Sequence, residues 1–149
     1  MVVIGGATYE HLAVVPVWAS AVPASLTMFQ GEYAIDAARF WIPIHPVTLA
    51  LMVLALILNW QGQRRGHLLT VLAAYVLILA ATFFYFVPEL MAITGSTYSP
   101  SIDADLTGRA QTWETLSIVR LVVLFVLAMV LLFGLPKPPV DRLRQRYRF

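Results

Sequence analysis

Six side chains in this sequence could do chemistry together: Glu10, His11, His45, Glu89, Glu114 and Arg120. Each lies in a stretch that is otherwise apolar enough to enter a bilayer. A charge there costs at least ~2.5 to 3.5 kcal/mol on insertion scales unless a partner or a wet cavity receives it. Arg120 carries the clearest penalty, because it stands about 12 Å below the membrane surface at 1.5 Å per residue, too deep for easy snorkelling. Glutamates and histidines projecting from facing helices are the ingredients of a bundle-core metal site. Imidazole and carboxylate suit zinc, iron, copper or manganese there, so Glu10, His11, His45, Glu89 and Glu114 form the candidate ligand set. No segment carries a Glu-x-x-His or His-x-x-x-His pair. Glu10 and His11 are neighbours that point about 100° apart on a helix, so only one of them can serve a given site.

The setting of these residues is a membrane. The 149-residue chain is 60% hydrophobic and 12% charged, whereas soluble domains carry roughly 25% charged residues. Its mean hydropathy is +0.78. The length allows one bundle and no separate soluble domain. Cysteine is absent, which excludes disulfides, thiolate metal sites and thiol nucleophiles.

The expected fold is all-α, a bundle of four transmembrane helices over about 2–22, 40–60, 68–93 and 112–135, followed by a basic tail at 136–149. The first segment lacks a basic leading region and carries Glu10 and His11 midway, so it reads as a retained span rather than a signal peptide, kinked at Pro16. The connection Pro23 to Arg39 holds Leu26, Met28 and Phe29 and is expected to fold down on the membrane surface. Pro43 and Pro46 bracket His45 in the first turns of the second span, where Trp41, His45 and Thr48 share one helical face. Tyr75, Thr82, Phe86 and Glu89 form a stripe on the third span, and Pro88 predicts a bend there. Thr94 to Ala110 reads as a polar loop, and no long repeat or low-complexity tract is present.

Positive charge sets the orientation. Arg64, Arg65, Lys137, Arg142, Arg144, Arg146 and Arg148 fall on one side of an even-numbered bundle, while the other has Arg39 and Arg109 against Glu32, Asp36, Asp103 and Asp105. The positive-inside rule therefore predicts both termini in the cytoplasm, in a membrane of the bacterial inner (plasma) type. The arginine-rich tail is expected along anionic lipid headgroups rather than on nucleic acid. With this topology Glu10 and Arg120 lie nearly level, about 13 and 18 Å above the cytoplasmic edge. Since buried polar residues face the bundle interior, the set predicts a polar pocket opening outwards. Its aromatic neighbours Trp41, Phe84, Phe86 and Trp113 favour a flat lipophilic small molecule.

Each residue also has a structural reading. Arg120 with Glu10 or Glu114 would be an ion pair that fixes helix register, and His11 an interhelical hydrogen-bond donor. His45, Glu89 and Glu114 would be half-hydrated near the interface, and Trp41, Trp60 and Trp113 would form an aromatic belt. The number of ionisable groups in so small a bundle exceeds what register needs.

The sequence GGATYEHLAVVPVW in the first span, the exit FFYFVPEL of the third and TWETLSIVR opening the fourth resemble the four-helix membrane family of anthrone-oxygenase-like proteins (DUF1772). In that family a Val-Pro element lies late in the third span, and a Trp and an Arg stand two helical turns apart in the fourth. Val87, Pro88, Trp113 and Arg120 match these, while Phe86 and Ser117 stand where asparagines are frequent. The resemblance implies oxygenation of an anthrone-type phenol to a quinone. His45 or Glu114 would remove a proton and Arg120 would stabilise the enolate, with Trp41, Phe86 and Trp113 against the substrate. The carbanion would then react with dioxygen directly or at a metal (iron, copper or zinc). The alternative classes are a non-enzymatic protein that binds or moves a small molecule or proton, and an accessory membrane subunit. A transporter of four short spans would need a homo-oligomer.

Overall fold

In a computed structural model, described over residues 1–134, the chain is all-helical. The basic tail at 136–149, with its expected headgroup contact, lies outside the described residues. Helix α1 covers Val2–Trp18, α2 covers Ala38–Leu58, α3 covers Arg65–Thr94 and α4 covers Ala104–Phe133. The last three are long and apolar enough to cross a membrane, and α1 is a shorter apolar helix. Neighbours pack in a ring, with α1 against α2 and α4, and α3 against α2 and α4.

The outside of this ring is made of large apolar side chains, as a lipid-solvated bundle requires. Leu51, Ile57, Leu58, Leu77, Phe83 and Phe84 are all exposed. Burial is concentrated where α1 ends. Val15, Trp18, Ala19, Val22 and Leu26 pack there with Phe86, Ile93, Ala110 and Trp113. Leu26 lies in a 3₁₀ turn, Ala24–Phe29, and is fully buried, while Phe29 meets Trp18 edge-on at 6.0 Å. The first part of the connection after α1 thus packs its apolar side chains into the end of the bundle. Its apolar residues find a better solvent in the core than at the interface. Hydrogen bonds fasten it to the start of α4: Asp103 N donates to the Val22 carbonyl at 2.9 Å, and Val22 N donates to Thr107 Oγ1 at 3.1 Å.

Helix α4 begins earlier than its hydropathy predicts. Asp103 is its N-cap, its carboxylate accepting from the amides of Asp105 and Leu106 at 2.9 and 3.1 Å, and Asp105 sits in the first turn. Both acids favour the positive helix terminus, so the polar stretch 104–110 is helical rather than looped.

Prolines shape α1 and α3 alike. In α1 a π-helical turn, Glu10–Val14, precedes Val15-Pro16, and in α3 a π-helical turn, Thr82–Phe86, precedes Val87-Pro88. Proline lacks the amide that would continue the i→i−4 ladder, and each helix absorbs the loss by widening one turn. The same sequence interval that separates these two turns also separates Trp41 from Trp113.

Candidate functional site

Each helix contributes to a chain of polar contacts near mid-bundle. From α1, Glu10 Oε1 accepts a hydrogen bond from Trp41 Nε1 of α2 at 2.8 Å. The Trp41 ring stacks on His45 one turn later, with centroids 5.5 Å apart and planes at 23°. Nδ1 of His45 shares a proton with the hydroxyl of Tyr75 on α3 at 2.9 Å. Tyr75 is buried. Trp41 and His45 thus use the shared face their spacing predicts.

The second half of the network is built around Arg120. Its two terminal nitrogens donate to Thr82 Oγ1 of α3 at 3.0 Å and to Ser117 Oγ at 2.8 Å. The guanidinium lies 4.2 Å from the centroid of the Phe86 ring, a cation–π distance. Ser117, 1% exposed, also meets His11 Nε2 at 3.0 Å, while His11 Nδ1 is buried without a hydrogen-bond partner. Trp113 closes the group, donating from Nε1 to the Phe86 carbonyl at 2.9 Å and packing against His11, Trp18 and Phe86. A carbonyl inside a π-helical turn points off the regular ladder, and the indole takes up the one at Phe86. Both π turns therefore sit at the network, with Glu10 and His11 in one and Thr82 and Phe86 in the other.

Among the described residues no carboxylate forms an ion pair with Arg120. The ion pairs among the described residues join Arg39 to Asp36 and Arg109 to Glu89. Its charge reaches Glu10, His11 and His45 electrostatically across the bundle centre. The expected pairing with Glu10 or Glu114 is replaced by neutral hydroxyls and an aromatic face. Ser117 and Thr82, which carry no charge themselves, are its nearest supports. Tyr75, Thr82 and Phe86 come from the stripe expected on the third span, whereas Ser117 was not expected to take a polar role. The helical spacing of Trp113, Ser117 and Arg120 was the available signal, since these positions fall on one stripe.

The predicted set does not converge as a whole. Glu10, His11, His45, Trp41, Phe86, Trp113 and Arg120 come together. Glu89 instead receives Nε and Nη2 of Arg109 at 2.8 and 3.0 Å, at the bundle end. Glu114 is partly buried and makes no hydrogen bond or ion pair among the described residues. It lies about 20° round the helix from the buried Leu121, on the buried face but without a polar partner there. Among the described residues no three His, Asp or Glu side chains are grouped to hold a metal ion. The five expected ligands are committed separately, to Trp41, Ser117, Tyr75 and Arg109 or to no partner, so they do not fit a metal. Nor does the network line either of two cavities at the bundle ends, one of about 380 Å³ beside Glu89 and Arg109 and one of about 360 Å³ near Arg64 and His67. Comparison with protein-family models, curated proteins and solved structures gave no match.

Proposed function

We propose that the chain is a four-span integral membrane protein with both termini in the cytoplasm, which binds a lipophilic phenol- or enol-type aromatic at the mid-bundle network and oxygenates it in the manner of anthrone oxygenases. The observation that carries this reading is Arg120. A guanidinium at this depth, held among the described residues by hydroxyls and a ring face, beside a buried imidazole nitrogen that has no partner among them, suits an anionic oxygen such as a phenolate or enolate. Trp41, Phe86 and Trp113 provide the flat walls.

Chemistry follows from that placement. The His45 imidazole, oriented by Tyr75 and stacked on Trp41, takes a proton from the ring methylene of the substrate, and Arg120 stabilises the resulting enolate oxygen. Dioxygen adds at the carbanionic carbon to give a hydroperoxide. Loss of water leaves the carbonyl of the quinone, so one CH₂ and one O₂ become one C=O and one H₂O.

Purified protein in nanodiscs, supplied with a hydroxyanthrone and air, tests this by quinone absorbance and oxygen uptake. Wild type should turn over, His45→Ala should bind without turnover, and Arg120→Gln should lose binding. Loss with Glu114→Gln but not with His45→Ala would move the base to Glu114. Equal rates in all of these and in the protein-free control would refute the enzymatic reading. A second reading, binding or proton movement without oxygenation, is favoured by the continuity of the Glu10–Trp41–His45–Tyr75 contacts across three helices. It predicts ligand binding with no oxygen uptake.

A further inference from the structure

The two hydroxyls that hold Arg120 dispose of their own protons differently. Arginine N–H groups can only donate, so Thr82 Oγ1 and Ser117 Oγ both accept from it. Thr82 passes its proton to the Ile78 carbonyl four residues back, at 2.7 Å, and Thr8, Thr94, Thr112 and Thr115 make the same backbone bond. Ser117 makes no such bond among the described residues. The acceptor its hydroxyl does reach there is Nε2 of His11, 3.0 Å away. Ser117 is 1% exposed, so bulk water offers its O–H no alternative.

A neutral imidazole carries one proton, and the bond made by one nitrogen fixes the state of the other. With Nε2 accepting from Ser117, the proton sits on Nδ1, and that N–H is the single buried group left without a partner among the described residues. The opposite tautomer is worse. It makes Nε2 a second donor to Ser117 Oγ and strands both the Ser117 proton and the Nδ1 lone pair, and every stranded buried group costs stability. A doubly protonated ring would set a second cation on the oxygen that already receives the guanidinium.

We infer that Arg120, acting through Ser117, holds His11 as the neutral Nδ1–H tautomer, and that this N–H donates to a second oxygen of the ligand, at a point apart from the Ser117–Arg120 contact. The two nitrogens of an imidazole point to different sides of the ring, so the free N–H faces away from Ser117. The ligand is therefore an aromatic with two oxygen acceptors on different carbons, one for the guanidinium and one for the imidazole. A compound with a single oxygen leaves one buried donor unpaired. Ser117 is a positioning residue, acting on the ligand through His11. The second-oxygen assignment rests on the ligand reading proposed above, whereas the tautomer is complete within the free protein.

The test uses the full chain in nanodiscs, with isotope-labelled histidine read by nitrogen NMR and the His11 signals identified by their absence in His11→Phe. Without ligand, wild type should carry a proton on Nδ1 of His11 and none on Nε2. Ser117→Thr keeps the hydroxyl and should keep that tautomer, whereas Ser117→Ala should lose it and show both forms. If Ser117→Thr misfolds by circular dichroism, wild type against Ser117→Ala decides. Under argon, which stops turnover, wild type should bind hydroxyanthrone about fivefold tighter than anthrone, which has one oxygen fewer, and His11→Phe should bind the two alike. A proton on Nε2 in the free wild type would overturn the relay. So would an unchanged tautomer in Ser117→Ala. Equal affinity of wild type for both compounds would overturn the second-oxygen assignment and leave the oxygenase reading standing. Binding of neither compound would refute the ligand reading itself and the second-oxygen assignment with it, while the free-protein spectra still decide the tautomer.

Discussion

Replacing Arg120 with methionine separates a functional arginine from a structural one. The side chain makes two hydrogen bonds to hydroxyls, on Thr82 and Ser117, and one cation–π contact with Phe86. Inside membranes a side-chain hydrogen bond averages about 0.6 kcal/mol, so the two together hold roughly 1.2 kcal/mol. The cation–π contact adds on the order of 0.5 to 1 kcal/mol. Against this stands the cost of placing the cation within the span, about 2.5 to 3.5 kcal/mol. Arg120→Met should therefore leave the bundle about 1 kcal/mol more stable, while abolishing binding of an anionic phenolate. Glu10 keeps its indole donor from Trp41 in the variant, so no carboxylate loses a direct partner. Reversible unfolding in bicelles, followed by tryptophan fluorescence, measures the first quantity, and a ligand-difference spectrum in nanodiscs measures the second. If Arg120 were one half of a register-fixing ion pair, removing it would cost about 3 to 5 kcal/mol. A loss of that size, or failure of the variant to insert, would refute the reasoning that this arginine is kept for a ligand.

Further outcomes follow from the same contacts. Trp41→Phe keeps the stacking surface for His45 but strips the donor from Glu10, and should cost about 1 to 3 kcal/mol in the same unfolding assay; an unchanged midpoint would mean that water replaces the indole. Ser117→Ala leaves both His11 Nε2 and an Arg120 nitrogen without their shared hydroxyl and should cost a similar ~1 to 3 kcal/mol. Leu26→Ala should cost about 2 to 5 kcal/mol, as for any large-to-small change in a packed core, whereas a side chain resting on the membrane surface would register almost nothing.

The periodicity of Trp41 and His45 placed one polar face correctly, because residues three and four apart on a helix share a side whatever the tertiary structure. Hydropathy located the long apolar helices but misjudged their ends. The early start of α4 depends on Asp103 capping two amides, a local hydrogen bond that a hydropathy window cannot register. The Leu26 connection was legible as apolar, yet its burial depends on contact with Trp18 and Phe29 and on the anchoring of Val22 to α4.

What the sequence determined by itself is the solvent this protein is built for and the identity of the groups that had to be reconciled with it. Apolar runs of this length, interrupted by a few ionisable side chains, fix both through transfer energetics. Only the tertiary structure decided which of those groups meet. Partner choice depends on rotation about each helix axis and on the π turns before Pro16 and Pro88, neither of which composition encodes. That is why Glu89 went to Arg109, Glu114 has no polar partner among the described residues, and Arg120 came to rest on Thr82, Ser117 and Phe86 instead of on a carboxylate.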